Sequence, residues 1–232
     1  MSHVKGNLPT GGPLNFLNEA AQTNSRKNTV PIMLLVSTHK PKTPEELKEL
    51  ISNHVNNDCS CGLKSAGTVE DFAKNLYNAQ FVNWTYKNKY PDEKEYTLDE
   101  RYSFMYSLFC IGPLRGLSSE NDSKKLVKSI LNKENILYKI EDATEEEDFN
   151  YAVDYKIFLY KNKISEIPDK AIGIQVKPQS FFKNKQALNV NNDKHKIYKY
   201  PVKYHVYNNH NMRFIYDSTS EVIQSIKAIV KE

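Results

Sequence analysis

The fold of this chain is decided by residues 145–182, EEEDFNYAVDYKIFLYKNKISEIPDKAIGIQVKPQSFF. After an acidic stretch, the apolar and aromatic run from Val153 to Tyr160 predicts a strand. A second run, from Ala171 to Lys177, predicts another strand. The loop between them, Lys161 to Lys170, is long enough to bring the two strands side by side. The segment therefore predicts a pair of neighbouring strands.

Three polar side chains fall at one end of this strand pair. Asp154 stands near the start of the first strand, and Gln175 and Lys177 stand near the end of the second. Because strand side chains alternate, Gln175 and Lys177 share one face and Val176 points to the other. An acid, an amide oxygen and an ammonium group together can bind a divalent cation and hold a water beside a phosphate. The alternative is an ordinary half-buried hairpin with a solvated lysine.

The pattern of Asp154 followed by Gln175-x-Lys177 resembles the core of the PD-(D/E)xK nuclease superfamily. The run Ile174 to Pro178, IQVKP, is most similar to type II restriction endonucleases of the MjaI-like group. The N-terminal run NLPTGGPLNFL, Asn7 to Leu17, is also similar to that group. The resemblance of the core covers about residues 140–182, and the predicted helix and strand that lead into it resemble the layout of the family's core.

This resemblance implies an α+β fold with a central mixed sheet flanked by helices. It also implies an enzyme that hydrolyses phosphodiester bonds of double-stranded DNA at specific sequences with Mg²⁺. Asp154, Gln175 and Lys177 would be catalytic, and Asp154, the carbonyl oxygen of Val176 and Gln175 would hold the metal. A cytoplasmic homodimer with a cognate DNA methyltransferase is the expected setting, because a two-fold protein matches a palindromic site.

The acidic run before Asp154 has two interpretations. Gln175 carries no charge where the superfamily has a carboxylate, so a Mg²⁺ site gains from another acid, and Glu147, or else Asp148, is the candidate. Alternatively, Thr144 caps a helix and Glu147 completes its capping box. The glutamine also leaves open a non-catalytic nucleic-acid-binding protein, and a repair or junction nuclease on the same core is a further alternative.

Composition sets the broad class. The chain has 232 residues, a net charge of +4 and 39% hydrophobic residues, enough for a real core, and it is interpreted as one domain, 1–232. A mostly helical part, 1–118, would precede a catalytic sheet with DNA-contacting loops, 119–232. We find no apolar run of membrane-spanning length and no secretory leader. Three cysteines argue against a disulfide framework and favour a reducing compartment.

Capping residues and apolar periodicity predict the remaining elements. Threonines mark helix starts, and Gly112-Pro113 is expected to end a helix. The apolar run Val30–Val36 fits either a strand or a helix segment. The predicted elements are helices at 13–21, from 44, at 69–80, at 98–110, from Ser119 or Asp122 to about 133 and at 220–230, a strand at 136–140, and a hairpin of 201–207 with 212–216.

Basic residues, aromatic rings and asparagines are concentrated downstream of Val176. Lysines suit phosphates, and asparagine and arginine suit base edges, so this region predicts a DNA surface, with the asparagines in loops between strands. The alternative is that the patch reflects a chain rich in lysine, asparagine and tyrosine throughout. The candidate DNA-binding residues are Lys183, Lys185, Asn189, Asn191, Lys194, Lys199, Lys203 and Arg213.

A second polar group lies in the N-terminal half. His54, Cys59 and Cys61 suggest zinc, but structural zinc sites usually show a second matching pair, which the neighbouring sequence lacks. Cys110 stands alone in an apolar stretch. The sequence therefore favours thiols that are buried or have no functional role over a metal site.

Overall fold

The structure is a computed structural model that describes residues 12–21, 30–55, 59–161 and 168–231. Residues 7–11 of the N-terminal run, and most of the loop from Lys161 to Lys170, lie outside this range. The chain falls into two compact units, Met1–Arg115 and Gly116–Glu232. The interpretation of residues 1–232 as one domain stays a prediction.

The first unit is helical, and its helices begin where the sequence places caps. The Thr43 hydroxyl accepts the Glu46 N–H, while Thr68 with Asp71 and Thr97 with Glu100 form reciprocal capping boxes. The apolar run Val30–Val36, for which a strand was the alternative, is helical from Ile32 onwards. The helices are α1 Pro13–Ala20, α2 Ile32–His39, α3 Pro44–Asn53, α4 Val69–Val82, α5 Trp84–Lys89 and α6 Leu98–Tyr106.

The prediction that Gly112-Pro113 ends a helix is wrong. A π-helical turn, Ser107–Ile111, follows α6 and leads directly into α7, Gly112–Lys133. Proline normally breaks a helix because it lacks an N–H and its ring crowds the carbonyl four residues earlier. That carbonyl belongs to Phe109, inside the wider π-helical turn, and the Gly112 N–H bonds back to the Ser107 oxygen. Helical backbone therefore continues through the proline.

The second unit is built on a four-stranded mixed sheet with strand order β1-β2-β3-β4. The first three strands are antiparallel neighbours, and β4 pairs in parallel with β3. A helix connects the two parallel strands, as parallel pairing requires. The elements after α7 are β1 Leu137–Asp142, α8 Glu145–Tyr151, β2 Tyr155–Tyr160, β3 Lys170–Pro178, α9 Lys185–Ile197, β4 Val202–Tyr207 and α10 Tyr216–Lys231.

Helices cover both faces of this sheet. One face packs apolar side chains of β2 and β3 against α7 and α10, in a core that includes Val127, Leu131 and Val222. On the other face, α9 places its side chains on Gln175 and Tyr204, which are register partners on β3 and β4. The second unit is therefore α+β, with a mixed sheet flanked by helices.

Two details of the sheet depend on individual residues. A side chain at Gly173 would come within 3.3 Å of both Tyr198 and Val153, so glycine lets the segment after α9 lie directly on β3. In the core, the Ser123 hydroxyl bonds the Tyr155 hydroxyl at 2.7 Å and His205 Nδ1 at 2.6 Å. This network satisfies polar groups that would otherwise be buried without partners.

Two local predictions in the downstream region are wrong. Asn189 and Asn191 lie on helix α9, not in loops between strands, because residues 185–197 belong to the crossover that joins the parallel strands β3 and β4. The hairpin of 201–207 with 212–216 is reduced to a single bridge between Tyr207 and Phe214, since α10 already begins at Tyr216. Among the described helices, none combines the length and apolar character needed to cross a lipid bilayer.

Candidate active site

Strand register brings Asp154 to the end of β3. Tyr155, the first residue of β2, pairs with Ile174, so Asp154 lies opposite Gln175 just before β2 begins. The Asp154 backbone N–H donates to the Ile174 carbonyl at 2.9 Å. Its carboxylate Oδ2 accepts the Val176 N–H at 2.5 Å, because β3 continues past the point where β2 starts. The carboxylate is thereby held against the β3 backbone.

The ionisation of the Asp154 carboxyl depends on its burial and on the charged and polar groups beside it. Burial raises the pKa of the Asp154 carboxyl, while the Lys177 ammonium and the Val176 N–H act in the opposite direction. Lys177 is thus close enough to Asp154 to influence its ionisation. Two of the three residues of the sequence motif, Asp154 and Lys177, therefore share one electrostatic environment.

Glu120 on α7 joins this environment, and the sequence did not single it out. Burial and, next, the Asp154 carboxylate raise the pKa of Glu120 to about 7, although Lys124 and Lys177 oppose the shift. Glu120, Ser123 and Val127 recur at helical spacing, which places Glu120 at the margin of the stripe that faces the sheet. A charged residue in such a stripe is the sequence signal that could have found it.

Gln175 is held differently from Asp154. Its side chain is only 2% exposed, and its amide oxygen accepts a hydrogen bond from the Asn191 side chain at 3.1 Å. The neighbouring Val176 side chain packs in the core, so only its backbone faces Asp154. Gln175 is therefore brought to the site in sequence register, but α9 already occupies its oxygen.

Glu147 does not join Asp154. It completes the capping box of Thr144, accepts the Lys156 ammonium at 2.8 Å and accepts the Tyr198 hydroxyl at 2.8 Å. Burial alone would raise the pKa of Glu147, but these three donors outweigh it and lower the pKa to about 2. The capping interpretation of the acidic run is confirmed, and both oxygens of Glu147 are engaged away from Asp154.

The candidate DNA-binding residues are spread over several elements. Lys183 ends a 3₁₀ turn, Lys185 and Asn189 are exposed on α9, and Lys203 is exposed on β4. Lys199 and Arg213 are exposed in connecting segments. Asn191 and Lys194 are engaged within the unit, Asn191 with Gln175 and Lys194 with the Phe149 carbonyl. Six of the eight candidates are thus exposed to solvent, and the other two hold α9 in place.

His195 approaches the same end of the sheet from α9. Its Nε2 lies 3.3 Å from the Ala152 carbonyl oxygen, and its ring lies 5.0 Å from that of Tyr204. Burial lowers the pKa of His195, and the Lys177 ammonium lowers it further. Lys177 therefore influences the ionisation of His195 as well as that of Asp154 and Glu120.

Comparison with protein-family models, with curated proteins and with solved structures found no match to this chain. The function is accordingly argued from the arrangement of its own side chains.

Proposed function

We propose that this chain is a Mg²⁺-dependent endonuclease that cuts double-stranded DNA at specific sequences, as a type II restriction enzyme does. The observation that carries the proposal is the Asp154 carboxylate held on the Val176 N–H at the end of the β2–β3 pair, next in sequence to Lys177 on β3 and within electrostatic reach of Glu120 on α7. The helix followed by antiparallel strands, α7 to β3, is the layout that the resemblance to PD-(D/E)xK nucleases implies.

The side chains at this position fit a magnesium ion. Asp154 and Glu120 offer carboxylate oxygens and Val176 a backbone carbonyl, and Mg²⁺ is bound through oxygen. Partial burial raises the pKa of both carboxyls; the Asp154 carboxylate adds to the shift of Glu120, and the Asp148 carboxylate adds to the shift of both. A divalent cation would offset the repulsion between these carboxylates. Glu120 in this way supplies the second negative charge that Gln175 lacks.

Each residue then has a distinct role in hydrolysis. Asp154 and Glu120 would hold the ion, with the Val176 N–H fixing the Asp154 carboxylate in orientation. Magnesium, when bound, supplies a lowered pKa for a coordinated water and positive charge for the phosphate. The Lys177 ammonium adds positive charge beside the two carboxylates and would orient the attacking water and the phosphoryl oxygens. Asn191 fixes the Gln175 amide by donating a hydrogen bond to its oxygen.

The proposed function implies three partners. They are double-stranded DNA as substrate, a second copy of the chain and a cognate DNA methyltransferase. Exposed lysines on α9 and β4 supply sequence-independent contacts to phosphates. Two copies related by a two-fold axis would present one such site to each strand of a palindrome. The odd cysteine count favours a reducing compartment, so the enzyme would act in the cytoplasm.

One observation favours a second candidate function, a DNA-binding protein without cleavage. Gln175 stands where the resembled family has a metal-binding acid, and its oxygen is engaged by Asn191. If Glu120 does not replace that acid, the basic surface remains and hydrolysis is lost.

Incubation of plasmid and linear DNA with the purified protein and Mg²⁺ tests both candidates. Discrete fragments support a restriction enzyme, whereas binding without cleavage supports the second function. Preferential cutting of branched DNA would indicate a junction nuclease instead.

Site variants then test the assignment of residues. We expect Asp154→Asn and Lys177→Ala to abolish cleavage and to retain DNA binding measured in Ca²⁺. The matched control is Glu146→Gln, which removes an exposed carboxylate of α8. Cleavage at the wild-type rate by either site variant would show that the site is misassigned.

A further inference from the structure

We propose that the first unit binds a structural zinc ion through His39, His54, Cys59 and Cys61. One ligand atom from each residue converges on a common space, and all four atoms lie within 4.8 Å of one another. This site is separate from the proposed magnesium site in residues and in ligand chemistry.

The distances are close to those of a bound site. His54 Nε2 lies 3.2 Å from Cys61 Sγ, and Cys59 Sγ lies 3.8 Å from His39 Nε2. With Zn–S bonds of about 2.3 Å and Zn–N bonds of about 2.0–2.1 Å, tetrahedral ligand atoms stand roughly 3.3–3.8 Å apart. The 3.8 Å separation matches this spacing, the 3.2 Å separation lies about 0.1 Å below it, and the longest separation exceeds it by up to about 1 Å. Small side-chain rotations would complete the tetrahedron.

Backbone features deliver each ligand. His39 is the last residue of α2, which Lys40 ends in the left-handed conformation at φ 52°. His54 follows α3 directly and is only 1% exposed. Cys59 and Cys61 flank a turn that Gly62 closes with a φ of 74°, a conformation that glycine adopts without strain. Two helix ends and one tight turn thus meet at the cluster.

His54 is already oriented as a metal ligand. Its Nδ1 bonds the Leu50 carbonyl at 2.6 Å, so that Nε2 is directed to Cys61. Metal-binding histidines characteristically donate their other ring N–H to a carbonyl or carboxylate, which fixes the tautomer and the ring orientation. A buried histidine that serves only packing would not need two thiols and a second imidazole around its free nitrogen.

Ligand chemistry identifies the ion as zinc. Two thiolates and two imidazoles form a closed set of four, which is the donor set of structural zinc sites. Magnesium and calcium prefer oxygen ligands and are not suited to it. A disulfide between Cys59 and Cys61 is the competing arrangement, but it would leave the convergence of His39 and His54 without a role. The sequence interpretation missed the site because His39 reaches it only through the packing of α2 on α3.

The test is metal content of the full-length, tag-free protein expressed with added zinc. We expect one zinc per chain, bound after desalting and released by a strong chelator. Replacement by Co²⁺ should give the absorption of thiolate-ligated tetrahedral cobalt. Chelation should lower the melting temperature of the first unit, and added zinc should restore it, because binding to the folded state alone stabilises it.

Variants localise the ion. Cys59→Ser and His39→Gln should lose stoichiometric zinc, whereas Cys110→Ser, which removes a buried thiol outside the cluster, should retain it. Asp154→Asn should also retain it, so that failure of the nuclease proposal leaves this one testable. If a ligand variant fails to fold, removing zinc from the wild-type protein with a chelator and then restoring it still tests the proposal.

Three results would overturn the proposal. These are a metal-free wild type that takes up no zinc, equal zinc content in Cys59→Ser and wild type, or a cobalt spectrum without thiolate absorption.

Discussion

Replacing Glu120 with glutamine should remove DNA cleavage and stabilise the metal-free protein. Burial, together with Asp154, raises the pKa of Glu120 from its ordinary 4.5 to about 7. Each pKa unit corresponds to about 1.36 kcal/mol, so ionising Glu120 in the folded protein costs about 3 kcal/mol of stability. Glutamine has nearly the same shape and stays neutral, so the variant escapes this cost.

The sign of the effect follows from proton binding. Between pH 4.5 and about 7 the folded protein binds more protons at Glu120 than the unfolded chain does. The wild-type free energy of unfolding therefore falls as pH rises through this window. We expect Glu120→Gln to be about 1 kcal/mol more stable than wild type at pH 5 and about 3 kcal/mol more stable at pH 8.

Urea unfolding at pH 5 and pH 8, in chelator and then in Mg²⁺, measures this difference. Wild type should gain stability from Mg²⁺ at pH 8, and Glu120→Gln should gain much less, because it lacks one ligand. Glu146→Gln, at an exposed position, should follow wild type in both conditions. A stability difference that does not change with pH would refute the buried carboxylate, and full cleavage by Glu120→Gln would refute its role as a ligand.

Two further predictions separate structural polar contacts from the site. Glu147→Gln should lose about 1–3 kcal/mol at pH 7, because it leaves the mostly buried Lys156 ammonium without its carboxylate, yet should keep wild-type cleavage per folded molecule. With a folded pKa of about 2, the stability from the Glu147 carboxylate is present above about pH 4.5 and lost as pH falls towards 2, so urea unfolding at pH 3 should show a smaller difference. Loss of cleavage in correctly folded Glu147→Gln would instead restore its role as a metal ligand. Ser123→Ala should lower stability by about 1–3 kcal/mol in thermal unfolding, because it orphans buried His205 Nδ1, and the exposed Ser118→Ala should not. Equal melting temperatures of the two serine variants would show that the network contributes nothing.

Local signals predicted much of the fold because they act over a few residues. Thr68, Thr97 and Thr144 each mark a helix start, since a cap and its partner three residues later satisfy exposed N–H groups without help from the rest of the chain. The strands at 155–160 and 170–178 were likewise predicted, to within two residues at each end, from their composition.

Features that depend on tertiary packing could not be predicted from the sequence. Pro113 does not end a helix, because the π-helical turn before it makes room for the proline ring. The residues of that turn carry no local sequence signal that predicts it. Asn191 belongs to a helix rather than a loop because the parallel pairing of β4 with β3 needs a crossover. His39 approaches two thiols from another helix, and Glu120 approaches Asp154 from α7. Contacts between distant segments have no period and no fixed spacing.

The delivery of Glu120 by a helix, while Asp154 and Lys177 come from strands, has a consequence for when the protein can act. A partly folded chain that has formed only its β-hairpin carries the strand residues but just one of the two acids. Packing of α7 onto the sheet through Val127 and Leu131 adds Glu120 to Asp154 and Lys177. Under the proposed nuclease function, nascent, truncated or locally unfolded molecules would therefore leave DNA uncut, and cleavage would begin only once the core has packed.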